Sequence, residues 1–138
     1  MIKIQHKDFN IQDEIDQINS KHSNIGAVSI FVGYVKNINN QQKVTSINLE
    51  VYRDMAHKSL EEICLKSQRK WDVIDTLIVH RYGELKVNEK IVLVATFSLH
   101  RKESFEACNF IMDYLKKDAP FWKNEFYYKD DEWLENSK

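Results

Sequence analysis

An α+β fold, a mixed and largely antiparallel sheet with helices packed on it, is what this sequence predicts, and three observations predict it. Apolar, β-rich runs at 26–36, 43–52, 73–81 and 90–99 are interleaved with stretches whose apolar residues recur at helical spacing. Neighbouring runs are joined by links too short for a crossover helix, NINNQQ among them, which favours antiparallel neighbours over a doubly wound parallel sheet. Three glycines and one proline leave little room for linkers, so one compact domain is expected over residues 1–138.

The elements follow in order. After a short strand, IKIQ, Asn10 can accept an amide hydrogen bond and cap a helix in which Ile11, Ile15 and Ile18 recur, ending near His22. GAVSIFVGYVK is apolar on both faces, as expected of a buried strand, whereas KVTSINLEVY alternates Ile47, Leu49 and Val51 with Ser46, Asn48 and Glu50. Asp54 is placed to cap a second helix, whose stripe of Ala56, Leu60, Ile63, Cys64, Ser67 and Trp71 should pack on the sheet.

Two further strands are joined by YGELKVNE, where Gly83 and Asn88 supply turn chemistry. A third helix, about 104–118, sets Phe105, Cys108, Ile111, Met112 and Leu115 on one face, and Pro120 prevents its continuation. WKNEFYY reads as a last strand.

Charge narrows the function classes. Twenty basic residues nearly balance 21 acidic ones, so nothing pulls the chain as a whole toward nucleic acid or an anionic membrane, and any cationic site must be local. No apolar run approaches the roughly 20 residues that span a bilayer, and MIKIQHKDFN lacks the apolar stretch of a secretory signal, so a cytoplasmic protein is expected. Cys64 and Cys108 form no CxxC and fall on apolar helical faces, which predicts buried thiols rather than a redox pair or a metal site.

Chemistry could sit in two places. The run IVLVATFSLHR turns polar at its C-terminal end, where Thr96, Ser98 and His100 share the face that begins with Val92 and Val94. His100 and Arg101 therefore emerge in the loop before the third helix, either as a solvated strand end or as ligand groups. In DYLKKDAPFWKNEF the helix ends in Lys116 and Lys117, and the next strand puts Lys123 and Glu125 on one face, Trp122 and Phe126 on the other. Those lysines either favour the helix dipole and face water, or combine with His100 and Arg101 in an oxyanion pocket walled by aromatics. P-loop, GxGxxG, GxSxG and HExxH patterns are absent from the sequence.

Four stretches together, GAVSIFVGYVKN, LEVYRDMAHKSLEEI, VIDTLIVHRYGELKVNEKIVLVATFSLHR and SFEACNFIMDYLKKDAPFWKNEF, resemble the large, catalytic subunit of molybdopterin synthase over about residues 25–135. HRYGEL and FIMDYLKKDAPFWK are the most diagnostic. The resemblance implies an α/β hammerhead fold and conversion of cyclic pyranopterin monophosphate (precursor Z) to molybdopterin by addition of two dithiolene sulfurs. It implies no cofactor. The partner would be a small ubiquitin-like carrier whose C-terminal Gly-Gly thiocarboxylate brings the sulfur, with a homodimer of large subunits at the centre of a heterotetramer.

By matched motif, the resemblance gives Lys116 and Lys123 to the reacting centre and His100 and Arg101 to the substrate anion. Asn124 and Glu125 fall in the same active-site segment, and Tyr34, Val35 and Lys36 match a further substrate-contacting stretch. Lys36 stands where the family commonly has arginine, a point charge in place of a two-pronged fork. Two rival readings compete with this one: an adaptor that only binds a ubiquitin-like tail, and a phosphate-directed acyl transferase using a lysine base.

Overall fold

The computed structural model describes residues 1–39, 41–129 and 132–135, with side chains described as far as residue 124. The elements are β1 (Ile2–Gln5), α1 (Ile11–Asn19), β2 (Ala27–Tyr34), β3 (Ile38–Asn39), β4 (Gln42–Val51) and α2 (Arg53–Lys70), then β5 (Val73–Arg81), β6 (Gly83–Lys86), β7 (Lys90–Ser98), α3 (Arg101–Lys117), β8 (Phe121–Lys129) and β9 (Glu132–Glu135). They form two sheets.

The first sheet runs β1-β5-β7-β2, with β1 parallel to β5 and the other pairs antiparallel. Alternation along β5 and β7 gives it two apolar faces, because both strands are covered on both sides. Leu77, Val79, Leu93, Ala95 and Phe97 pack with Ile18 and Phe9, beneath α1. Ile78, Val92 and Val94 pack with Ala56, Leu60, Ile63, Cys64, Cys108 and Ile111 of α2 and α3. In the second sheet β4 is central: β8 pairs along one edge, β3 and β6 along the other, and β9 lies beyond β8.

The α+β architecture and the mostly antiparallel pairing are as the sequence predicts, and the local chemistry is legible. Asn10 caps α1 through a bond from the Asp13 amide at 2.9 Å. Asn88 and Gly83 take positive φ, 74° and 87°, as their turn roles require.

Several expectations are corrected. α1 stops at Asn19, short of His22. The cap of α2 is Tyr52, without a side-chain bond, and Asp54 sits in the first turn, where it still favours the helix dipole. β2 is an edge strand, and its α1 face leaves Val28, Ile30 and Tyr34 exposed. β3 and β6 form inside links read as loops, because both are short and held by pairing with β4. α3 begins at Arg101, so His100 is its cap and Arg101 lies in the helix, not in a loop. Phe105 faces outward, its place on the inner face taken by Ser104 and Ala107.

Helix α3 runs back along β7. Ser104 meets Thr96 near the strand's end, whereas Cys108 and Ile111 meet Val92 and Val94 near its start. The C-terminal turn of α3 therefore lies at the end of the first sheet where β2 finishes.

Candidate active site

The cations singled out by sequence lie at the two ends of α3. At the C-terminal end the Asp118 amide donates to Tyr114 O at 2.8 Å and closes the helix, and Lys116 and Lys117 are exposed. Pro120 has no amide to continue the ladder, and the Phe121 amide turns back to Ala119 O at 2.8 Å. β8 then pairs Phe121 with Val51 and Lys123 with Leu49. Cross-strand partners share a face, so Lys123 emerges beside the cluster of Val35, Val44, Ile47, Leu49 and Leu85.

Tyr34, Val35 and Lys36 reach the same region from the end of β2. Val35 itself is buried. It is 3% exposed, its amide donates to Glu89 O at 2.9 Å and its carbonyl accepts from the Asn88 amide at 2.8 Å, so every group it has is used internally. Its neighbours Tyr34 and Lys36 are exposed on either side of this anchor.

The turn that anchors Val35 is organised by a residue that sequence reasoning passed over. Arg81 is 4% exposed; its Nε donates to His6 O at 2.9 Å, and its Nη1 lies 3.2 Å from Glu89 Oε1 and 3.0 Å from Lys90 O. Glu89 in turn accepts the Lys86 amide at 2.7 Å. That bond and the Arg81 guanidinium hold the Glu89 carboxyl below its ordinary pKa against a smaller opposing effect of burial.

His100 and Arg101 lie elsewhere. At about 1.5 Å per residue along α3, His100 and Lys116 are about 24 Å apart within one chain. The polar end of β7 also has a local purpose: Thr96 Oγ1 donates to Ser104 O at 2.6 Å, Ser98 Oγ to His100 O at 2.5 Å, and Ser29 Oγ to Ser104 Oγ at 2.9 Å. The buried hydroxyls seat the start of α3, and His100 and Arg101 project from it beside the exposed Leu99 and Lys102.

The aromatic wall is displaced as well. Trp122 points to the face of β8 opposite Lys123 and meets Tyr52 edge-on at 5.0 Å, with Glu50 and Val51 completing a hollow of about 460 Å³. A larger groove of about 800 Å³ continues from it along β1 and the first turn of α2, past Arg53 and His57. Asn124, paired with Asn48, shares the Trp122 face, so it does not accompany Lys123. The backbone of Glu125 pairs with Ile47, and its side chain, assigned to the active-site segment, lies outside those described. No grouping of three His, Cys, Asp or Glu residues able to hold a metal occurs among the described residues.

Known proteins resemble this chain in sequence and in fold. A family model described as MoaE protein matches residues 4–118, a span that includes Lys116. A protein of Ralstonia nicotianae named molybdopterin synthase catalytic subunit is 43% identical over 134 residues, 97% of this chain and 76% of that protein. The solved structure of a molybdopterin biosynthesis MoaE protein from Burkholderia ambifaria superposes with a TM-score of 0.82 at 38% identity, covering all of this chain and 91% of the other. A molybdopterin synthase structure from Staphylococcus aureus gives a TM-score of 0.83 at 29% identity, over 96% of this chain and 95% of that one.

Proposed function

The chain belongs to the MoaE family, and on that premise we propose that it acts as the catalytic subunit of a molybdopterin synthase, converting precursor Z to molybdopterin with sulfur from a small ubiquitin-like carrier. Each carrier thiocarboxylate holds one sulfur, so two carriers are consumed per dithiolene and each leaves with an ordinary carboxylate. The enzyme needs no thiol of its own. Cys64 and Cys108 are buried, in keeping with that.

The observation that carries the reading is the α3–β8 turn, which delivers Lys116 and Lys123 to the end of the sheet where Tyr34 and Lys36 emerge. We assign Lys116 to acid/base or nucleophilic work on the thiocarboxylate and substrate, Lys123 to the charge that develops there, and Lys36 to the substrate anion. The adaptor reading needs none of these cations, and the acyl-transferase reading needs no sulfur donor. Mixing the purified chain with thiocarboxylated carrier and precursor Z, then assaying the dithiolene, separates the three. Lack of product with a carrier active on another synthase overturns the assignment.

His100 and Arg101 enter the same site when two copies associate. β2 is an unpaired edge whose α1 face exposes Val28, Ile30 and Tyr34 at 36%, 47% and 53%, the kind of edge that a second strand covers. Antiparallel pairing of β2 with β2 of a second copy sets the beginning of one strand against the end of the other. The Gly26 amide bonds Ser98 O, two residues before His100. The pairing therefore carries His100 and Arg101 of one copy toward Tyr34 and Lys36 of its partner, a homodimer with two shared sites. No described helix is long and apolar enough to cross a membrane, and we place the protein in the cytoplasm.

A further inference from the structure

We propose that His80 is a positioning residue for the lysine pair: its ring is the seat on which Phe121 lies, and through Phe121 it sets where Lys116 and Lys123 stand. The inference rests on the assignment of those lysines to the reacting centre.

The two rings are nearly parallel, at 17°, with centroids 3.7 Å apart. His80 is 7% exposed, near the end of β5, on the face that α2 and α3 cover. Its Nδ1 lies 2.8 Å from Arg81 O. A carbonyl oxygen only accepts, so Nδ1 carries the proton and the ring is held in one tautomer and one plane. Phe121 meets a flat surface that cannot turn.

The position of Phe121 gives the stack its reach. Leu115 and Phe121 both pack into the core, one on each side of the turn that contains Lys116, Lys117 and Pro120. Phe121 is also the first residue of β8 and pairs with Val51, so its seating fixes where the strand begins. Lys123 follows two residues later on the same face, and Lys116 precedes it by little more than one helical turn. Moving the Phe121 ring by about 1 Å moves both amines relative to a substrate held by other groups, and misplacement of that size is enough to lower a rate about a hundredfold.

The test compares His80→Ala, which removes the seat, with His80→Phe, which keeps a flat ring and loses only the hydrogen bond. In the assay with thiocarboxylated carrier and precursor Z, His80→Ala is expected to lower kcat at least tenfold, with the precursor KM and carrier affinity within about twofold of wild type, and His80→Phe to stay within about threefold in kcat. A 4-fluorophenylalanine at position 121 supplies a readout independent of turnover, since its ¹⁹F signal should move in His80→Ala and return toward the wild-type position in His80→Phe.

Unchanged kcat in His80→Ala overturns the proposal, as does equal damage in both variants, or a defect confined to KM. Should His80→Ala not fold, Phe121→Leu removes the stack from the other side, and wild-type kcat in that variant overturns the proposal equally. Absence of product from the wild-type chain would instead count against the synthase assignment, leaving the fluorine result as the measure of the stack itself.

Discussion

Arg81 and Glu89, 3.2 Å apart, join the end of β5 to the turn before β7, and that turn holds both backbone groups of Val35. Arg81→Ala leaves the His6 and Lys90 carbonyl oxygens without the donor that now satisfies them, while Glu89 keeps the Lys86 amide. A buried acceptor left without its donor costs about 1–3 kcal/mol, and Glu89, 37% exposed, adds little because water screens it. Urea denaturation should show a loss of about 2 kcal/mol, and precursor affinity should fall with it as Lys36 loses its anchor. Unchanged stability would mean that water replaces the guanidinium at no cost.

Gly26 is required by close approach rather than by its dihedral angles. A Cβ there would overlap the Leu99 carbonyl oxygen, which is backbone and cannot swing aside. Gly26→Ala should cost about 1–3 kcal/mol by overpacking and displace the link that carries His100 and Arg101. Differential scanning calorimetry checks the first effect and precursor titration the second; a variant with wild-type values in both would show that the link relaxes freely.

Residues whose role is local were legible in the sequence. Asn10 caps the helix that follows it, Asn88 and Gly83 supply positive φ, and Pro120 ends α3, each by chemistry within a few residues. Some misreadings were local too, the α2 cap at Tyr52 in place of Asp54 among them, while others concern residues whose role depends on packing against another element. Thr96 and Ser98 looked like a ligand-facing strand end, but Thr96 answers Ser104 and both serve the seating of α3. Phe105 matched the helical period yet faces outward, because the small Ser104 and Ala107 let α3 lie close against β2 and β7. The lysines proposed for the site were singled out by motif, whereas His80 and Arg81, within the diagnostic HRYGEL, gave no sign of what they touch. Only the fold brings His80 to Phe121, and only a second copy brings Arg101 toward Lys36 in the arrangement proposed.

The thiols should be silent. Burial pushes Cys108 up to about 11 and raises Cys64 as well, so neither is thiolate at neutral pH. Iodoacetamide at pH 7.5 should leave the native protein unmodified and active, and label both cysteines in urea. Loss of dithiolene formation on native labelling of either one would return a thiol to the mechanism.

His80 gives stability a defined pH window. Burial lowers its pKa from 6.5 to about 4, more than the hydrogen bond to Arg81 O raises it. Between those values the unfolded chain binds the proton and the folded chain does not, so the contribution is complete above pH 6.5 and is lost as pH falls toward 4. The loss amounts to about 3 kcal/mol. Glu89, whose carboxyl is held low, weakens the fold only further down, below its ordinary 4.5. Urea midpoints at pH 7 and pH 4.5 should therefore differ in wild type and differ much less in His80→Phe; equal slopes in the two would remove His80 as the group that titrates.

The proposed sharing of the site between two copies can be tested by complementation. Lys116→Ala should abolish molybdopterin formation while carrier binding persists, and Arg101→Ala should act mainly by weakening the precursor. If the sites are shared, a dimer with one chain of each kind holds one site with both residues intact and one site with neither. Coexpressed with two different tags and purified as the mixed species, such dimers should recover about half of wild-type activity at low precursor concentration, although each variant alone is nearly inactive there. Sites contained within single chains leave no such route: every site would carry one lesion, and the mixed dimer would be no better than its parents.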